Sequence, residues 1–279
     1  MARQEYDKNI VQIKGVISKV YRRNGDVFVL LRAHSTAGVR TKSLLRIEKG
    51  RIDQKMVSVK QGERVQAFGY LYPEDYAISL MSFLQYAGSL DYVDKLPKED
   101  LPQWTDVLLT YNNPAVCVQG FAHLLDDDSV NKNKAYGTGY NPQINNQVIL
   151  EGIVAQQWDY PPTKDGKRFA RLAVYDHYCL PDGNTVNGKL PRQKAHYFNV
   201  MIPDEEKGSV GLHSRLLIEG SLEQYSQRVT LRKALEHSNL NGNMESLLKR
   251  LSDDKWLDLV ALMRRMNYVH AQAITVYDE

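Results

Sequence analysis

Apolar and polar residues alternate along most of residues 146–178, and the alternation is broken once. The break falls at 161–166, which carries two prolines and an Asp-Gly turn signal. The second alternating run, Phe169 to Tyr178, places Phe169, Arg171, Ala173 and Tyr175 on one face and Ala170, Leu172 and Val174 on the other. This pattern predicts two strands joined by a polar loop. We expect the aliphatic face to be buried and the aromatic, basic face to be able to meet nucleotide bases.

Three more alternating segments follow the first two. They are His196–Ile202, Leu216–Tyr225 and Arg228–Leu235, and Gly152 and Gly220 lie inside the first and fourth strands of the set. An internal glycine commonly marks a bulge or a sharp bend in a strand. Five short strands with two such bends predict a small coiled barrel of the oligonucleotide-binding (OB) type.

Four of these segments also resemble a known family. The order NQVILEGIV, GKRFARLAV, HYFNVMI and LLIEGSLEQY, within residues 146–235, is similar to that of the bacterial single-stranded DNA-binding proteins. The resemblance implies an OB fold and single-stranded DNA binding. It also implies DNA-facing aromatic residues at Tyr178 and Tyr197 and a DNA-facing hairpin between late strands. The family's acidic recruitment tail has no counterpart after the last predicted strand, so we do not expect tail-mediated recruitment.

Residues 1–88 repeat the same order of signals. Predicted strands at Asn9–Tyr21, Asp26–Ala33, Ser43–Ile47, Gly62–Tyr72 and Tyr76–Tyr86 again include a strand with an internal glycine and a later Gly-x-Leu strand. We interpret this as a diverged internal repeat. The chain is therefore predicted to be mainly β, with two tandem five-stranded OB-fold barrels. An unrelated all-β domain at the N-terminus is the alternative.

The predicted domains are an OB-like domain over 1–88, a partly flexible connector over 89–145, and an OB domain over 146–279. Within the connector, 115–125 is a strand that either completes the first barrel or forms a short bridge. Tyr136 and Tyr140 either fold onto a bound strand or lie in a poorly ordered linker.

A helical period replaces alternation near the C-terminus. One apolar stripe contains Met244, Leu247, Leu248 and Leu251, and another contains Trp256, Leu259, Val260 and Met263. These stripes predict two short helices inside an insertion over 237–267, before a closing strand at Tyr268–Tyr277. The helices either form part of the barrel domain or cap it as a partner-binding surface.

Composition and charge narrow the function classes. No apolar run approaches the roughly 18 residues of a membrane span, and the N-terminus lacks the apolar segment of a secretory signal. Cys117 and Cys179 stand far apart, which favours a reducing, cytoplasmic location, here nucleoid-associated. Residues 1–64 hold 15 Lys and Arg against 6 Asp and Glu, whereas 65–128 hold 2 against 10. The basic segment is suited to phosphates, or is simply a solvated face.

Exposed aromatic side chains beside Lys and Arg would stack on bases and contact phosphates. For each ring, packing in the core is the competing interpretation. In the second predicted barrel the candidates are Trp158, Lys164, Lys167, Arg168, Phe169, Arg171, Tyr175, Tyr178, Lys194, Tyr197, Tyr225, Arg228 and Arg232. In the first they are Arg22, Arg23, Phe28, Arg32, Tyr70 and Tyr72, with Tyr21 beside them.

Catalytic motifs such as GxxxxGK[ST], HExxH and Gly-x-Ser-x-Gly are absent from the sequence, and we expect neither enzymatic activity nor a cofactor. A metal site at His123 with 126–128, or at Asp176 with His177, is a minor alternative. The predicted function is sequence-tolerant single-stranded DNA binding in replication, recombination or repair of a bacterium or mobile element. The predicted assembly is a homodimer that meets replication proteins. Alternatives are an assembly module of a replication or phage-like complex, single-stranded RNA binding, and a nuclease that uses the His123 region.

Overall fold

The computed structural model describes residues 6–34, 40–50, 59–96, 98, 108–124, 130–136, 145–160, 167–178, 181–182, 192–236, 249 and 254–277. Several predicted features lie outside these ranges, namely the apolar stripe of Met244, Leu247, Leu248 and Leu251, Tyr140, residues 126–128 and the loop that contains Lys164. The strands of the first half are β1 Asn9–Arg23, β2 Asp26–His34, β3 Arg40–Ile47, β4 Arg64–Ser79, β5 Leu108–Leu124 and β6 Val130–Tyr136. Those of the second half are β7 Asn146–Tyr160, β8 Lys167–Val174, β9 Pro181–Asp182, β10 Arg192–Gln193, β11 His196–Ile202, β12 Arg215–Thr230 and β13 Ala261–Tyr277.

Five strands of the first half pair in a closed ring, which we call the first ring. Its order is β1, β2, β3, β5 and β4, and a pairing of β4 with β1 closes it. The β3–β5 pairing is parallel, through Leu45 opposite Val116, and the β1–β2 and β2–β3 pairings are antiparallel. The strand predicted at 115–125 is part of β5 and completes this ring.

Five strands of the second half pair in the same order, as the second ring. β7, β8, β11, β13 and β12 follow one another, and β12 pairs with β7 to close the set. The third and fifth strands in sequence order, β11 and β13, again pair in parallel, through Val200 opposite Val269. The prediction of a mainly β chain with a closed five-strand barrel is confirmed. Each ring surrounds aliphatic side chains of its inward-facing positions, which form one continuous apolar core.

The two rings meet through an antiparallel pairing of their first strands. Residues 9–13 of β1 pair with 146–150 of β7, and Val11 opposite Val148 is the middle pair. The pairing is symmetric about this middle pair. Asn9 and Asn146 each stand two residues before the central valine of their strand, and they lie at opposite ends of the paired segment. The halves thus contact each other as the two sides of a two-fold interface do.

Asparagine side chains lock each first strand to its ring at matching positions. The Asn9 amide donates to the Leu71 carbonyl at 2.9 Å, and its oxygen accepts from the Leu71 N–H at 2.8 Å. Asn146 forms the same two bonds with Leu222, at 2.9 and 3.0 Å. Both asparagines are buried, so each supplies both hydrogen bonds that its leucine backbone would otherwise lack.

Glycine is required in β4 and in β12, at a point where each lies close to its neighbour, β5 or β13. A Cβ atom added at Gly69 would overlap the Cys117 carbonyl, and one at Gly220 would overlap the His270 carbonyl. These are the glycines of the two Gly-x-Leu segments in the sequence. Their role is to let neighbouring backbones pack without a side chain between them.

The chain divides into two compact units. One, the barrel unit, comprises 1–73, 114–224 and 267–279, and the other, the helical unit, comprises 74–113 and 225–266. The helical unit contains α1 Leu80–Tyr86, a 3₁₀ turn at Leu90–Lys95, α2 Leu231–Glu236 and α3 Trp256–Leu259. Leucines of α1 and α2 pack with Phe83, Trp256 and Val260 in a separate apolar core. In the described ranges, no helix has the length and apolar character needed to cross a membrane.

Two strand predictions fail in the helical unit because capping residues end the strands early. Tyr76–Tyr86 was predicted to be a strand, but β4 ends at Ser79, whose side chain accepts from the Ser82 N–H at 3.1 Å and begins α1. Arg228–Leu235 was also predicted to be a strand. Its Thr230 accepts from the Lys233 N–H at 3.3 Å, and α2 begins there. A hydroxyl at this position satisfies a free N–H group of the first helical turn.

The predicted C-terminal helix is also shorter than its apolar stripe. α3 ends at Leu259, and β13 already begins at Ala261 and includes the predicted strand Tyr268–Tyr277. Residues 261–266 fit the alternation of a strand as well as the helical period of the predicted stripe. Met263 and Arg265 alternate there with Leu262 and Arg264. Exposure follows the strand period there, with Met263 and Arg265 exposed.

Candidate nucleic-acid interface

Each ring carries a stacked aromatic pair on the outer face of its first two strands. In the first ring Tyr21 lies opposite Phe28, with ring centroids 5.2 Å apart and planes 9° from parallel. In the second, Trp158 lies opposite Phe169, at 5.9 Å and 14°. Both pairs follow a bulge in the first strand, which turns the next residues outward.

The outer face of the second ring presents an exposed Arg–Tyr pair. Arg171 on β8 and Tyr197 on β11 both point away from the core, and the guanidinium carbon lies 5.3 Å from the centre of the tyrosine ring. Tyr197 is 41% exposed, and Tyr175, just beyond β8, is 42% exposed. A guanidinium beside an open ring can meet both a phosphate and a base.

Tyr175 is held in place by an acidic residue that precedes the first ring. Its N–H donates to the Asp7 carboxylate at 2.7 Å, and the Asp7 N–H donates to the Tyr175 carbonyl at 3.2 Å. Burial raises the pKa of Asp7, although the Tyr175 N–H and Arg215 oppose that rise. Arg215 binds both Asp7, at 2.5 Å, and Glu151, at 2.8 Å, so the carboxylate that accepts from Tyr175 is itself held in place.

A second buried carboxylate, Asp176, orders the segment that follows Tyr175. Asp176 is fully buried, accepts from the Tyr178 N–H at 2.9 Å and from the Asn9 amide, and lies 3.6 Å from His196 Nδ1. Burial alone would raise the pKa of Asp176, but the His196 imidazole and the Asn9 amide lower it below the ordinary value. The carboxylate therefore stays ionised and fixes the turn.

Tyr178 is half-buried, and its side chain packs against the first ring. Its side chain stacks on Tyr70, with centroids 3.5 Å apart, and its hydroxyl contacts the Gln119 amide. Tyr72 lies beneath the Arg46 guanidinium at 5.6 Å and edge-on to His196 at 5.2 Å. These contacts place Tyr178 and Tyr72 at the junction of the two rings.

Three of the predicted aromatic ligands are buried in the structure. Phe28 and Phe169 are 3% exposed and Tyr70 is 2% exposed. Phe28 and Phe169 point outward but are covered by Tyr21 and Trp158, and Phe169 also packs edge-on to Tyr268 at 5.5 Å. They support the rings that remain half-exposed, and they offer no face of their own to a base.

The remaining predicted residues lie in several environments. Arg22, Arg23, Arg32, Lys167 and Lys194 are exposed in the barrel unit. Arg168 is half-buried and binds Asp159 at 3.2 Å and the Lys207 carbonyl at 2.9 Å. Tyr225, Arg228 and Arg232 belong to the helical unit, where Arg228 donates to the carbonyls of α3 and Arg232 binds the Asp258 carboxylate at 3.0 Å.

Sequence reasoning missed a row of cations on the first ring. Lys19 on β1, with Arg40 and Lys42 on β3, joins Arg32 on the outward positions of three neighbouring strands. Arg46, at the end of the row, is bound to Asp26 at 2.8 Å. The run R-T-K-S-L-L-R, with cations at alternate positions, was the signal that could have found them.

The described residues do not support either of the two metal sites considered from the sequence. Within those ranges, no group of three or more His, Cys, Asp or Glu side chains is arranged to hold a metal ion. His123 is buried beside Glu63, with Nδ1 and Oε2 3.7 Å apart, and Asp176 is engaged as described above.

Comparison with known proteins gave matches among solved structures alone. No protein-family model and no curated protein sequence matches the chain. A deletion mutant of the single-stranded DNA binding protein from Thermus aquaticus superposes with a TM-score of 0.50 at 12% identity, covering 98% of this chain and 96% of that one. The wild-type form of that protein gives 0.49 at 12% identity, over 99% and 95%. The fold resemblance seen in the sequence is thereby confirmed, and it now spans nearly the whole chain.

Proposed function

We propose that the chain binds single-stranded DNA through the outer faces of its two rings, each of them an OB fold and the two a tandem repeat. Bases stack on the exposed aromatic residues and phosphates contact the neighbouring cations, without strong sequence preference. The observation that carries the proposal is the outer face of the second ring. There Arg171 and Tyr197 stand exposed on strands whose opposite side is buried, and Tyr175 is exposed just beyond β8.

The chemistry of that face suits a single strand better than a duplex. Stacking on an aromatic residue contributes about 1–3 kcal/mol per base and needs an unpaired base. In a duplex, both faces of each base are already covered by the neighbouring base pairs. Buried carboxylates fix the backbone at Tyr175 and Tyr178, so little conformational entropy is lost when a base stacks on Tyr175.

The direct test is fluorescence anisotropy with labelled dT oligomers and with duplexes of the same length. We expect the single strand to bind more tightly, and Tyr197→Ala to weaken binding about 5- to 150-fold, which corresponds to one stacked base. Leu150→Ala is the matched contrast, because Leu150 is fully buried and its truncation lowers the free energy of unfolding by about 2–5 kcal/mol. Equal affinity for both DNA forms would overturn the proposal.

Intrinsic fluorescence gives a second, label-free readout. Trp158 is half-buried on the proposed face, whereas Trp256 is buried in the helical unit. A base stacked near Trp158 quenches its emission, so we expect most of the DNA-induced quenching to be lost in Trp158→Phe.

An assembly module is a second candidate function, and the helical unit favours it. Tyr86, Leu259 and Met263 are 73%, 67% and 68% exposed. A cavity of about 660 Å³ is lined by Tyr86, Met263, Leu262, Ile78 and their neighbours. Under this alternative, Met263→Glu abolishes self-association or partner binding while Lys255→Glu, an exposed control in the same unit, does not.

The finer parts of the proposal concern assembly and setting. We place the protein in the cytoplasm with the nucleoid, in replication, recombination or repair, as a homodimer that meets replication proteins. Light scattering measures the dimer directly. Competition between dT and rU oligomers separates DNA from RNA binding, because OB folds bind either.

A further inference from the structure

The outer faces of the two rings can be compared position by position. The rows Tyr21–Phe28–Arg46 and Trp158–Phe169–Met201 occupy the same place in the two strand registers. Counting along the strands from these rows aligns every outward position of one face with a position of the other. The comparison shows which chemistry each face carries.

The first face is mainly cationic beyond its aromatic row. Two residues on, Leu30 lies opposite Leu44, flanked by Lys19, and four residues on, Arg32 lies opposite Lys42. Arg40 continues the row at the start of β3. Lys19, Arg32 and Arg40 are exposed and Lys42 is half-buried. Successive outward residues of a strand are about 6.6 Å apart, a spacing that the phosphates of an extended single strand can follow.

At the positions that correspond to Lys19, Arg32 and Lys42, the second face carries no cation, and one of the three carries a ring. The position of Lys42 is held by Tyr197, and that of Arg32 by Ala173. Tyr175, exposed just past β8, extends the aromatic surface. β8 carries two exposed cations on its outward positions, Lys167 at its start and Arg171, and Arg171 lies against the Tyr197 ring.

We propose that the two rings divide the recognition of single-stranded nucleic acid, the first ring holding the phosphates and the second ring the bases. This inference rests on the proposed function and adds a location to each of its two physical components. Phosphate contacts displace counterions and depend steeply on salt, whereas stacking does not. The salt-dependent part of the affinity therefore resides mainly in the N-terminal half and the salt-insensitive part mainly in the C-terminal half.

Salt titrations of binding to a dT oligomer separate the two components. Each phosphate contact to a single strand contributes about 0.7 to the slope of log K against log salt. We expect Arg32→Ala with Lys42→Ala to reduce the slope by about 1.4. Tyr175→Ala with Tyr197→Ala is expected to leave the slope unchanged and to weaken binding at every salt concentration, by about 5- to 150-fold per ring. Lys60→Ala, an exposed cation off both faces, is the control and keeps the wild-type slope.

An abasic oligomer, which keeps the phosphates but lacks bases, gives the complementary test. Its binding should be insensitive to the double tyrosine variant and strongly weakened by the Arg32 and Lys42 variant. Thermal unfolding of each variant checks that the fold is intact. Equal changes of slope in the two double variants, or loss of abasic binding in the tyrosine variant, would overturn the division of roles. Failure of the wild type to bind dT would instead overturn the proposed function itself.

Discussion

Replacement of Asn146 by alanine probes the bonds that hold the second ring closed. Asn146 is 1% exposed, and its side chain both donates to and accepts from the Leu222 backbone, at 2.9 and 3.0 Å. Leu222 is fully buried, so its N–H and carbonyl have no access to bulk solvent when the amide is removed. The two hydrogen bonds contribute about 1 kcal/mol each, and two unsatisfied buried groups add further cost. We expect the free energy of unfolding to fall by about 2–4 kcal/mol.

The measurement is urea unfolding followed by circular dichroism at pH 7. Asn145→Ala is the matched control, because Asn145 is exposed and contributes its backbone carbonyl, not its side chain, to the contact with Lys14. Asn9→Ala should cost more than Asn146→Ala, since the Asn9 amide also serves the buried Asp176. If Asn146→Ala were no less stable than Asn145→Ala, the bonds from Asn146 to Leu222 would not be what holds β12 in place.

Two further predictions concern close packing and charge. Gly220→Ala should lower the free energy of unfolding by about 1–3 kcal/mol, because its Cβ would overlap the His270 carbonyl. Gly208→Ala is the control and should be nearly neutral, because a Cβ there has no atom within 4 Å. Equal stability of the two variants in calorimetry would contradict the close approach at Gly220. The lowered pKa of Asp176 means that its stabilising effect is present above the unfolded-state pKa of about 3.9 and is lost as pH falls through the lower folded-state pKa. The gap in urea midpoint between wild type and Asp176→Asn should therefore narrow as pH falls below about 4, and a constant gap would refute this assignment.

Sequence patterns predicted the strands best where alternation and turn chemistry agreed. β2 follows the turn at Asn24 and Gly25, both with positive φ, and its predicted range matches to within one residue. The failures lie where two local signals compete. At Ser79 and Thr230 the apolar alternation continued past a hydroxyl that caps a helix, and the cap determined the structure.

The candidate interface was predictable by strand face but not by burial. Arg171, Tyr175 and Tyr197 were placed on an open face because alternation assigns each residue to one side of a sheet. That Phe28 and Phe169 lie beneath Tyr21 and Trp158 depends on which residues pair across strands, and alternation within one strand does not carry that information. The cations of β3 were missed because a strand predicted from Ser43 excluded Arg40 and Lys42.

The symmetric β1–β7 contact has both of its partners on one polypeptide. Strands on separate molecules would come apart on dilution, but here the tether sets their local concentration, so the contact persists at any protein concentration. In an assembly of identical subunits, every substitution appears on both sides of a two-fold contact. In this chain it appears on one side only, so Lys14 can occupy the position that corresponds to Glu151. Covalent continuity thus gives each half the freedom to acquire side chains that its counterpart lacks.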